Sequence, residues 1–288
     1  MENIYAVKKI GKAYVWSPDQ VDLIKDLYTV QAFGRRDIAK MFGVSLPVIE
    51  NVMKANGIET CNLSRHKWKL DEHYFDHIDT PNKAYMLGFI AADGCLSNCY
   101  TLEMSLHHQD KCLLEAFNKE LKSNRPLEFI DNSKKREQTG KNYGDQYRFR
   151  VQSKILYNAL NALGIHSNKS LSLQFPNIPE EYLNHFVRGY LHGDGCIYTG
   201  TMTDGRPRIL CNFTSTQMFC KDLQKRLYEL LGVSGSIKNL NCNNVTATLS
   251  YGGDRQAKTV LDWIYHEADL YLDRKYQKYQ SYYTSNIS

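Results

Sequence analysis

The chain has 288 residues, with 36 Lys and Arg against 31 Asp and Glu, which leaves a formal charge of +5. A content of 42% hydrophobic and 23% charged residues is ordinary for a globular protein and excludes extended disorder. The modest positive charge permits a polyanionic partner without requiring one. The sequence has no apolar segment long enough for a bilayer span and no apolar signal core near Met1. We therefore expect a soluble protein, neither secreted nor membrane-bound, in the cytoplasm of a bacterial, phage-infected or archaeal cell or in an organelle.

Residues 17–58 are predicted to form three short helices. Ser17 followed by Pro18 is typical of a helix start. Gly43 is typical of a helix end, and Ser45 of the next helix start. This part of the chain is therefore predicted to be a small all-α domain.

The second and third predicted helices carry the residues of a helix-turn-helix. Small Ala39 allows two helices to cross closely, Gly43 allows the sharp turn, and apolar Ile49 packs behind it. Any small helical bundle is the alternative interpretation. We favour a helix-turn-helix DNA-binding domain at residues 1–58.

Residues 59–79 lack clear periodicity and are predicted to be a basic linker. The linker contains Arg65, Lys67 and Lys69, which are candidates for contacts with DNA phosphates. A solvated run of charge is the alternative.

An internal repeat follows residue 80. Residues 88–95, Gly-Phe-Ile-Ala-Ala-Asp-Gly-Cys, return 101 positions later, at 189–196, as Gly-Tyr-Leu-His-Gly-Asp-Gly-Cys. Apolar helical segments and alternating strand segments surround both copies in the same order. The sequence therefore predicts an α+β fold of two αββαββα repeats, at 80–180 and 181–288.

Small residues lie at helical spacing in both copies. Ala84, Gly88 and Ala92 share one face of the first predicted helix, and Gly189 and Gly193 share one face of the second. Helices with small residues on one face can approach backbone to backbone. We expect the two repeat helices to pack in this way.

Such packing would bring together Asp93 and Asp194, which end the two helices. A carboxylate at a helix C-terminus opposes the helix dipole, and two adjacent carboxylates repel each other. A divalent cation would neutralise both, and Mg²⁺, with Mn²⁺ as a substitute, suits few carboxylates completed by water and phosphate. The following glycines, Gly94 and Gly195, are expected to adopt the left-handed conformation.

The segments 86–94 and 187–195 resemble the signature of the LAGLIDADG homing endonucleases, and the resemblance covers about residues 80–280. It implies two four-stranded antiparallel sheets that form a saddle over DNA, related by a pseudo-twofold axis between the signature helices. It also implies that the protein acts as a monomer. The doubled signature thus extends the fold prediction to a DNA-binding surface.

The signature departs from the family pattern at four positions. Ala91 and His192 replace an acidic residue, and Leu87 and Arg188 replace a small residue. The last acidic residue of each copy, which is the metal ligand in the family, is retained.

The resemblance implies that Asp93 and Asp194 are catalytic metal ligands. The preceding residues, Ala92 and Gly193, are implied to belong to the same metal site. The resulting chemistry is metal-dependent hydrolysis of one phosphodiester in each DNA strand.

The family also has a basic residue near the end of each repeat. Lys169 and Lys275 are the matching positions, and they would position water and stabilise charge on the phosphate. Ordinary surface charges are the alternative for both. Polar residues that position water would fall near Gln109-Asp110 and Thr216-Gln217.

Further DNA contacts are expected from basic residues in the loop 131–146 and on the predicted strands. These candidates are Lys134, Lys135, Arg136, Arg148, Arg150 and Arg208.

Together these features predict a site-specific homing endonuclease, active in intron homing, that cleaves double-stranded DNA at a long, partly palindromic target. One alternative is a non-catalytic transcription regulator on the same fold, although retention of both aspartates argues against it. A second is an intron-splicing maturase, whose partner would be intron RNA.

Overall fold

The computed structural model describes most of the chain. The described ranges are 4–11, 13–29, 33–58, 68–97, 99–203, 205–240 and 245–284. The predicted phosphate contacts Arg65 and Lys67 lie outside these residues. Among the described helices, none has the length and apolar character needed to cross a membrane.

The N-terminal part contains a short hairpin and three helices. These are β1 (Lys8–Ile10), β2 (Ala13–Val15), α1 (Pro18–Thr29), α2 (Arg35–Met41) and α3 (Leu46–Ala55). The three helices agree with the sequence prediction. The hairpin was not predicted, because its three-residue strands are largely exposed and too short for a clear alternation.

The turn between α2 and α3 has the geometry expected from its residues. Gly43 has a φ of +62°, and the Val44 amide donates to the Ala39 carbonyl at 3.0 Å. Ala39 and Ile49 are buried in the small core, while Arg35 and Glu50 join the two helices by an ion pair of 2.8 Å. The two helices therefore cross tightly at Ala39, and their role in DNA binding stays a prediction.

The rest of the chain consists of two repeats with the same order of elements. The first contains α4 (Pro81–Asp93), β3 (Cys95–Ser97), β4 (Thr101–His107), α5 (Lys111–Glu120), β5 (Glu128–Ile130), α6 (Ser133–Thr139), β6 (Gln146–Gln152) and α7 (Lys154–Ala162). The second contains α8 (Leu183–Asp194), β7 (Gly195–Thr201), β8 (Pro207–Thr216), α9 (Gln217–Leu231), β9 (Ser236–Asn239), β10 (Thr246–Gly252), α10 (Gly253–Tyr265) and α11 (Asp273–Thr284).

Each repeat contains one four-stranded antiparallel sheet. The strand orders are β3-β4-β6-β5 and β7-β8-β10-β9, so each strand of one sheet has an equivalent in the other. The predicted αββαββα repeats are confirmed, with two additions. Helix α6 lies in the loop between β5 and β6, and α11 follows the last helix of the second repeat.

Helices α4 and α8 are in direct backbone contact. A Cβ added to Gly88 would lie 2.0 Å from the Phe186 carbonyl oxygen, and one added to Gly189 would lie 2.0 Å from the Tyr85 carbonyl oxygen. These two contacts are equivalent under the repeat, which places a pseudo-twofold axis between the helices. The expected packing of small faces is thus observed, and both helices are otherwise buried in the main core.

The glycines that follow the two aspartates are not left-handed, and that prediction was wrong. Gly94 has a φ of −70° and Gly195 a φ of −108°. The close contact of the following strand with the helix excludes a side chain. A Cβ at Gly94 would lie 2.6 Å from the Ile90 carbonyl oxygen, and one at Gly195 would lie 2.6 Å from that of Leu191.

The end of the predicted linker contributes to the core of the repeats. Tyr74, Phe75 and Ile78 are buried there, and the Asp71 amide donates to the Leu121 carbonyl at 2.8 Å. The sequence analysis did not predict that these apolar residues belong to the core, because they occur in turns, without helix or strand periodicity.

We expect Gly88→Ala or Gly189→Ala to lower the free energy of unfolding by about 3 kcal/mol or more, because the added methyl group meets a backbone oxygen. Helix propensity acts in the opposite direction, favouring Ala over Gly by about 1 kcal/mol. Urea unfolding measures the change. A neutral or stabilising effect would contradict the backbone contact.

Candidate catalytic site at the ends of the paired helices

Asp93 and Asp194 lie beside the pseudo-twofold axis, at the C-terminal ends of α4 and α8. A Cβ added to Gly193 would lie 2.3 Å from the Ala92 Cβ and 3.4 Å from the Asp93 Cγ. The equivalent residues Ala92 and Gly193 are therefore in contact, and the two aspartates emerge side by side. Both are exposed to solvent, so a ligand can reach them.

The environment of the two carboxyl groups disfavours their charge. Protein packed around the helix ends raises the pKa of Asp93, and the nearby charges of Lys275, Lys169 and Arg274 oppose this effect. Desolvation by the protein around the helix end and then the charge of the neighbouring Asp93 raise the pKa of Asp194 to about 6. The two carboxylates are thus electrostatically coupled and would be stabilised by added positive charge.

Lys275 lies in the first turn of α11 and is buried, with 5% of its surface exposed. Its Nζ donates to the carbonyl oxygens of Leu191 and His192 at 2.8 Å and of Gly195 at 2.7 Å. The Gly193 carbonyl is farther away, at 3.4 Å. Three short bonds account for the three hydrogens of the ammonium group, so Lys275 is a fixed positive charge at the end of α8. Burial and then Arg274 lower its pKa to about 8.

Lys169 occupies the related place in the first repeat. It begins a 3₁₀ turn, Lys169–Leu171, and its buried Nζ donates to the carbonyl oxygen of Gly94. Burial lowers the pKa of Lys169, and the charge of Asp194 is the largest opposing effect. The structure therefore brings both predicted lysines to the ends of the helices that carry the aspartates.

The segments that carry the two lysines are each fastened to the opposite repeat. Arg274 Nε donates to the buried Asp110 carboxylate at 3.0 Å, and Thr216 Oγ1 donates to the Leu173 carbonyl at 2.6 Å. Asp110 and Thr216 are equivalent, since they precede α5 and α9. The repeats are thus linked crosswise as well as through α4 and α8.

Asp110 and Thr216 are used in these links. Thr216 also accepts a hydrogen bond from the Phe219 amide at 3.1 Å and so caps α9. The sequence analysis predicted that residues at these places position water. It did not predict that Asp110 binds Arg274 or that Thr216 binds Leu173. The adjacency of Arg274 to Lys275 was the available signal.

The donor set beside the axis suits a hard divalent cation. Asp93 and Asp194 offer carboxylate oxygens, and no group of three or more His, Cys, Asp or Glu residues that could hold a metal ion is found among the described residues. Mg²⁺ fits, because it retains water and takes one or two carboxylates together with phosphate oxygens.

Two predicted DNA contacts, Arg148 and Arg150, lie on the outer face of the first sheet. Their neighbours on β6, Phe149 and Val151, face the core. Glu103 of β4 pairs with Arg148 at 3.1 Å and with Arg150 at 3.8 Å. The two arginines therefore lie on a strand, where the sequence predicted them, but have an acidic partner that the sequence analysis missed. Their contact with DNA stays a prediction.

The other candidate DNA contacts are spread over the surface. Arg136 pairs with Asp145 at 2.7 Å and holds α6 against its own loop. Lys134 and Lys135 belong to the same helix, Arg208 is exposed on β8, and Lys69 is exposed before the repeats. Within the part of the chain that the structure describes, none of these residues has a hydrogen bond or ion pair with Asp93 or Asp194.

The fold is a double repeat in which the paired helices α4 and α8 end side by side at a pseudo-twofold axis. No protein-family profile and no curated protein matches the chain. Among solved structures, LAGLIDADG homing endonuclease I-GzeII with its DNA target is similar, with 12% identity, a TM-score of 0.48, and coverage of 72% of this chain and 90% of that chain.

Meganuclease I-AabMI bound to uncleaved DNA has 15% identity and a TM-score of 0.48, covering 72% and 91% of the two chains. I-LtrWI bound to target DNA has 14% identity and a TM-score of 0.45, covering 75% and 89%. These likenesses concern the fold alone.

We expect the two partners of the Asp110–Arg274 ion pair to respond unequally to substitution. Arg274→Ala leaves a buried carboxylate without its partner and should cost about 2–3 kcal/mol. Asp110→Asn leaves a half-exposed arginine and should cost about 1 kcal/mol or less. Urea unfolding of both variants and of the double variant measures the difference. Equal losses would contradict this account of the link.

Proposed function

We propose that the chain is a site-specific DNA endonuclease that hydrolyses one phosphodiester in each strand of double-stranded DNA with divalent metal ions. The observation that carries this proposal is the pair of exposed aspartates beside the axis, with a buried lysine at each helix end. A pseudo-twofold pair of acidic and basic groups matches the two strands of a duplex, which are also related by local twofold symmetry.

Asp93 and Asp194 would hold the metal ions, with the adjacent Ala92 and Gly193 in the same site. Bound there, Mg²⁺ would supply positive charge for the attacking and leaving oxygens. The ammonium groups of Lys275 and Lys169 add fixed positive charge that stabilises a phosphate during reaction. Since the hydrogens of Lys275 are taken by carbonyl groups, it acts through its charge.

The two sheets provide a polar outer surface for DNA. In the second sheet Thr214 lies opposite Thr248, and Asn212 opposite Ser250, with hydroxyl and amide groups that can read base edges. Lysines and arginines around the sheets would bind phosphates. The unlike outer faces favour a long target that is only partly palindromic, bound by one chain.

Incubation of the protein with a randomised duplex library and Mg²⁺, followed by sequencing of the cleaved ends, tests this function. Cleavage of both strands at a defined sequence supports it, and chelation with EDTA should abolish the products. Specific binding without cleavage would favour the transcription-regulator alternative. Splicing of an intron RNA without DNA cleavage would favour the maturase.

We predict that Asp93→Asn or Asp194→Asn abolishes double-strand cleavage while DNA affinity stays within about tenfold, or roughly 1.4 kcal/mol. The change removes a metal-binding charge but keeps the shape of the side chain. Gel-shift titration and a cleavage assay measure the two effects. Asp222→Asn, the same change on the exposed surface of α9, serves as control and should cleave normally. Full cleavage by either site variant would refute the assignment.

We further propose that the N-terminal domain binds DNA beside the cleavage site, with α3 in the major groove. The exposed face of α3 carries Asn51 and Lys54, which can contact a base edge and a phosphate. The domain also contacts the first repeat. Buried Lys154 donates to the Tyr28 carbonyl at 2.5 Å, at the end of α1, which favours a fixed placement of this domain.

Accordingly, Asn51→Ala combined with Lys54→Ala should weaken DNA binding and shorten the footprint while leaving the cleaved phosphates unchanged. A tethered module raises affinity through effective concentration and leaves the chemistry to the repeats. Footprinting on one target measures this. Lys225→Ala, on α9 away from the outer faces of the sheets, is the charge control. A variant lacking residues 1–67 should behave similarly, whereas an unchanged footprint would mean that the domain does not bind DNA.

A further inference from the structure

Three polar side chains form a stripe along α8. Asn184, Arg188 and His192 follow each other at four-residue spacing, so they share one face of the helix. They are 8%, 0% and 1% exposed, respectively. The equivalent residues of α4 are Lys83, Leu87 and Ala91, so α4, all of whose residues the structure describes, has no matching stripe of three buried polar residues.

Every member of the stripe binds backbone groups at the end of α10 or in the connector, residues 266–272, that leads to α11. Asn184 Nδ2 donates to the Trp263 and His266 carbonyls at 3.4 and 3.3 Å. Arg188 Nη1 donates to the carbonyl of Ile264 at 2.8 Å, and its Nε donates to that of Leu270 at 2.9 Å.

His192 binds the last residue of the connector. Its Nδ1 accepts a hydrogen bond from the Leu272 amide at 3.2 Å. Since a backbone amide can only donate, Nδ1 carries no hydrogen, and Nε2 donates to the Tyr265 hydroxyl at 2.9 Å. The Tyr85 hydroxyl lies 2.9 Å from Nδ1. The imidazole is therefore fixed by groups from α4, α10 and the connector.

The connector places Lys275. The Leu272 carbonyl accepts from the amides of Lys275 and Tyr276 at 2.9 and 3.0 Å, which begins α11. The Lys275 side chain then returns to α8, where the His192 carbonyl accepts from Nζ at 2.8 Å. His192 thus contacts this segment at two points. Its ring binds the Leu272 amide, and its backbone carbonyl binds the Lys275 ammonium group.

Burial of Arg188 is energetically costly. Its Nη2 has no hydrogen-bond partner among the described residues, and burial lowers the pKa of the guanidinium to about 10. Apolar residues, such as Leu87 and Ala91 in α4, suffice for helix packing. We propose that Asn184, Arg188 and His192 are positioning residues that hold the connector and so place the charge of Lys275 in the catalytic site. This inference rests on the proposed endonuclease function.

The consequence is specific to one of the two lysines. The segment around Lys169 is held by other interactions. Thr216 of the second repeat donates to the Leu173 carbonyl, and Asn168, just before the 3₁₀ turn, has a φ of +58°. Loosening the connector therefore displaces Lys275 and leaves Lys169 in place. One DNA strand should lose its cleavage before the other.

The test uses the full chain and separately labelled strands of one target duplex. His192→Ala, which introduces the residue of the first repeat, should slow nicking of one strand by about tenfold or more and leave the other within about twofold. Lys275→Met should slow the same strand. His192→Asn, whose amide oxygen can accept from the Leu272 amide, should restore much of the rate. Arg188→Leu should show the same strand bias as His192→Ala.

Leu223→Ala, a core substitution in α9 of the same repeat, controls for a general loss of stability and should show no strand bias. Equal slowing of both strands by His192→Ala, or a bias opposite to that of Lys275→Met, would overturn the inference. Amide hydrogen exchange of the DNA-free protein gives a second readout. His192→Ala should accelerate exchange at residues 268–276, and unchanged exchange would also overturn the inference.

A wild-type chain that cleaves neither strand contradicts the proposed function, whereas strand-independent slowing in an active protein contradicts only the positioning role. If the wild type is inactive, faster exchange at 268–276 in His192→Ala supports the stripe as the device that holds the connector. The two failures are therefore distinguishable.

Discussion

The backbone contact between α4 and α8 is the constraint on which the rest of the structure depends. Because Gly88 and Gly189 leave no room for a side chain, the helices meet along their small faces, and their larger apolar side chains enter the core. The contact fixes the axis, and the axis fixes Asp93 and Asp194 beside each other. It also brings each lysine-bearing segment within reach of the opposite repeat.

The symmetry of this contact does not extend to the way the lysines are supported. Lys169 begins a 3₁₀ turn, while Lys275 follows a connector whose backbone needs hydrogen-bond partners away from water. Helix α8 supplies those partners from its own side chains. A helix at the centre of the molecule therefore has two tasks, since one face packs on α4 and another binds the connector.

Local patterns in the sequence were sufficient to predict the two repeats, the order of helices and strands along each repeat and the pairing of the two aspartates, because small-residue spacing and alternation are local signals. The order of the strands within each sheet was not predicted. Hydrogen bonds between distant segments were not predictable. Arg188 and His192 were noticed only as departures from the signature, since their backbone partners lie about 80 residues away. Likewise, nothing near Asp110 in the sequence identifies Arg274 as its partner.

Among the described residues, the ion pairs of Glu103 distinguish the first sheet from the second. Arg148 and Arg150 already have an acidic neighbour in Glu103. Glu103 reduces the attraction of the two arginines for a distant polyanion, and a DNA phosphate would displace it to bind them directly. The second sheet presents hydroxyl and amide groups in rows, such as Thr214 beside Thr248. If the two sheets bind DNA, this difference means that the two half-sites of a target are not interchangeable. The protein would then bind a given target in a single orientation.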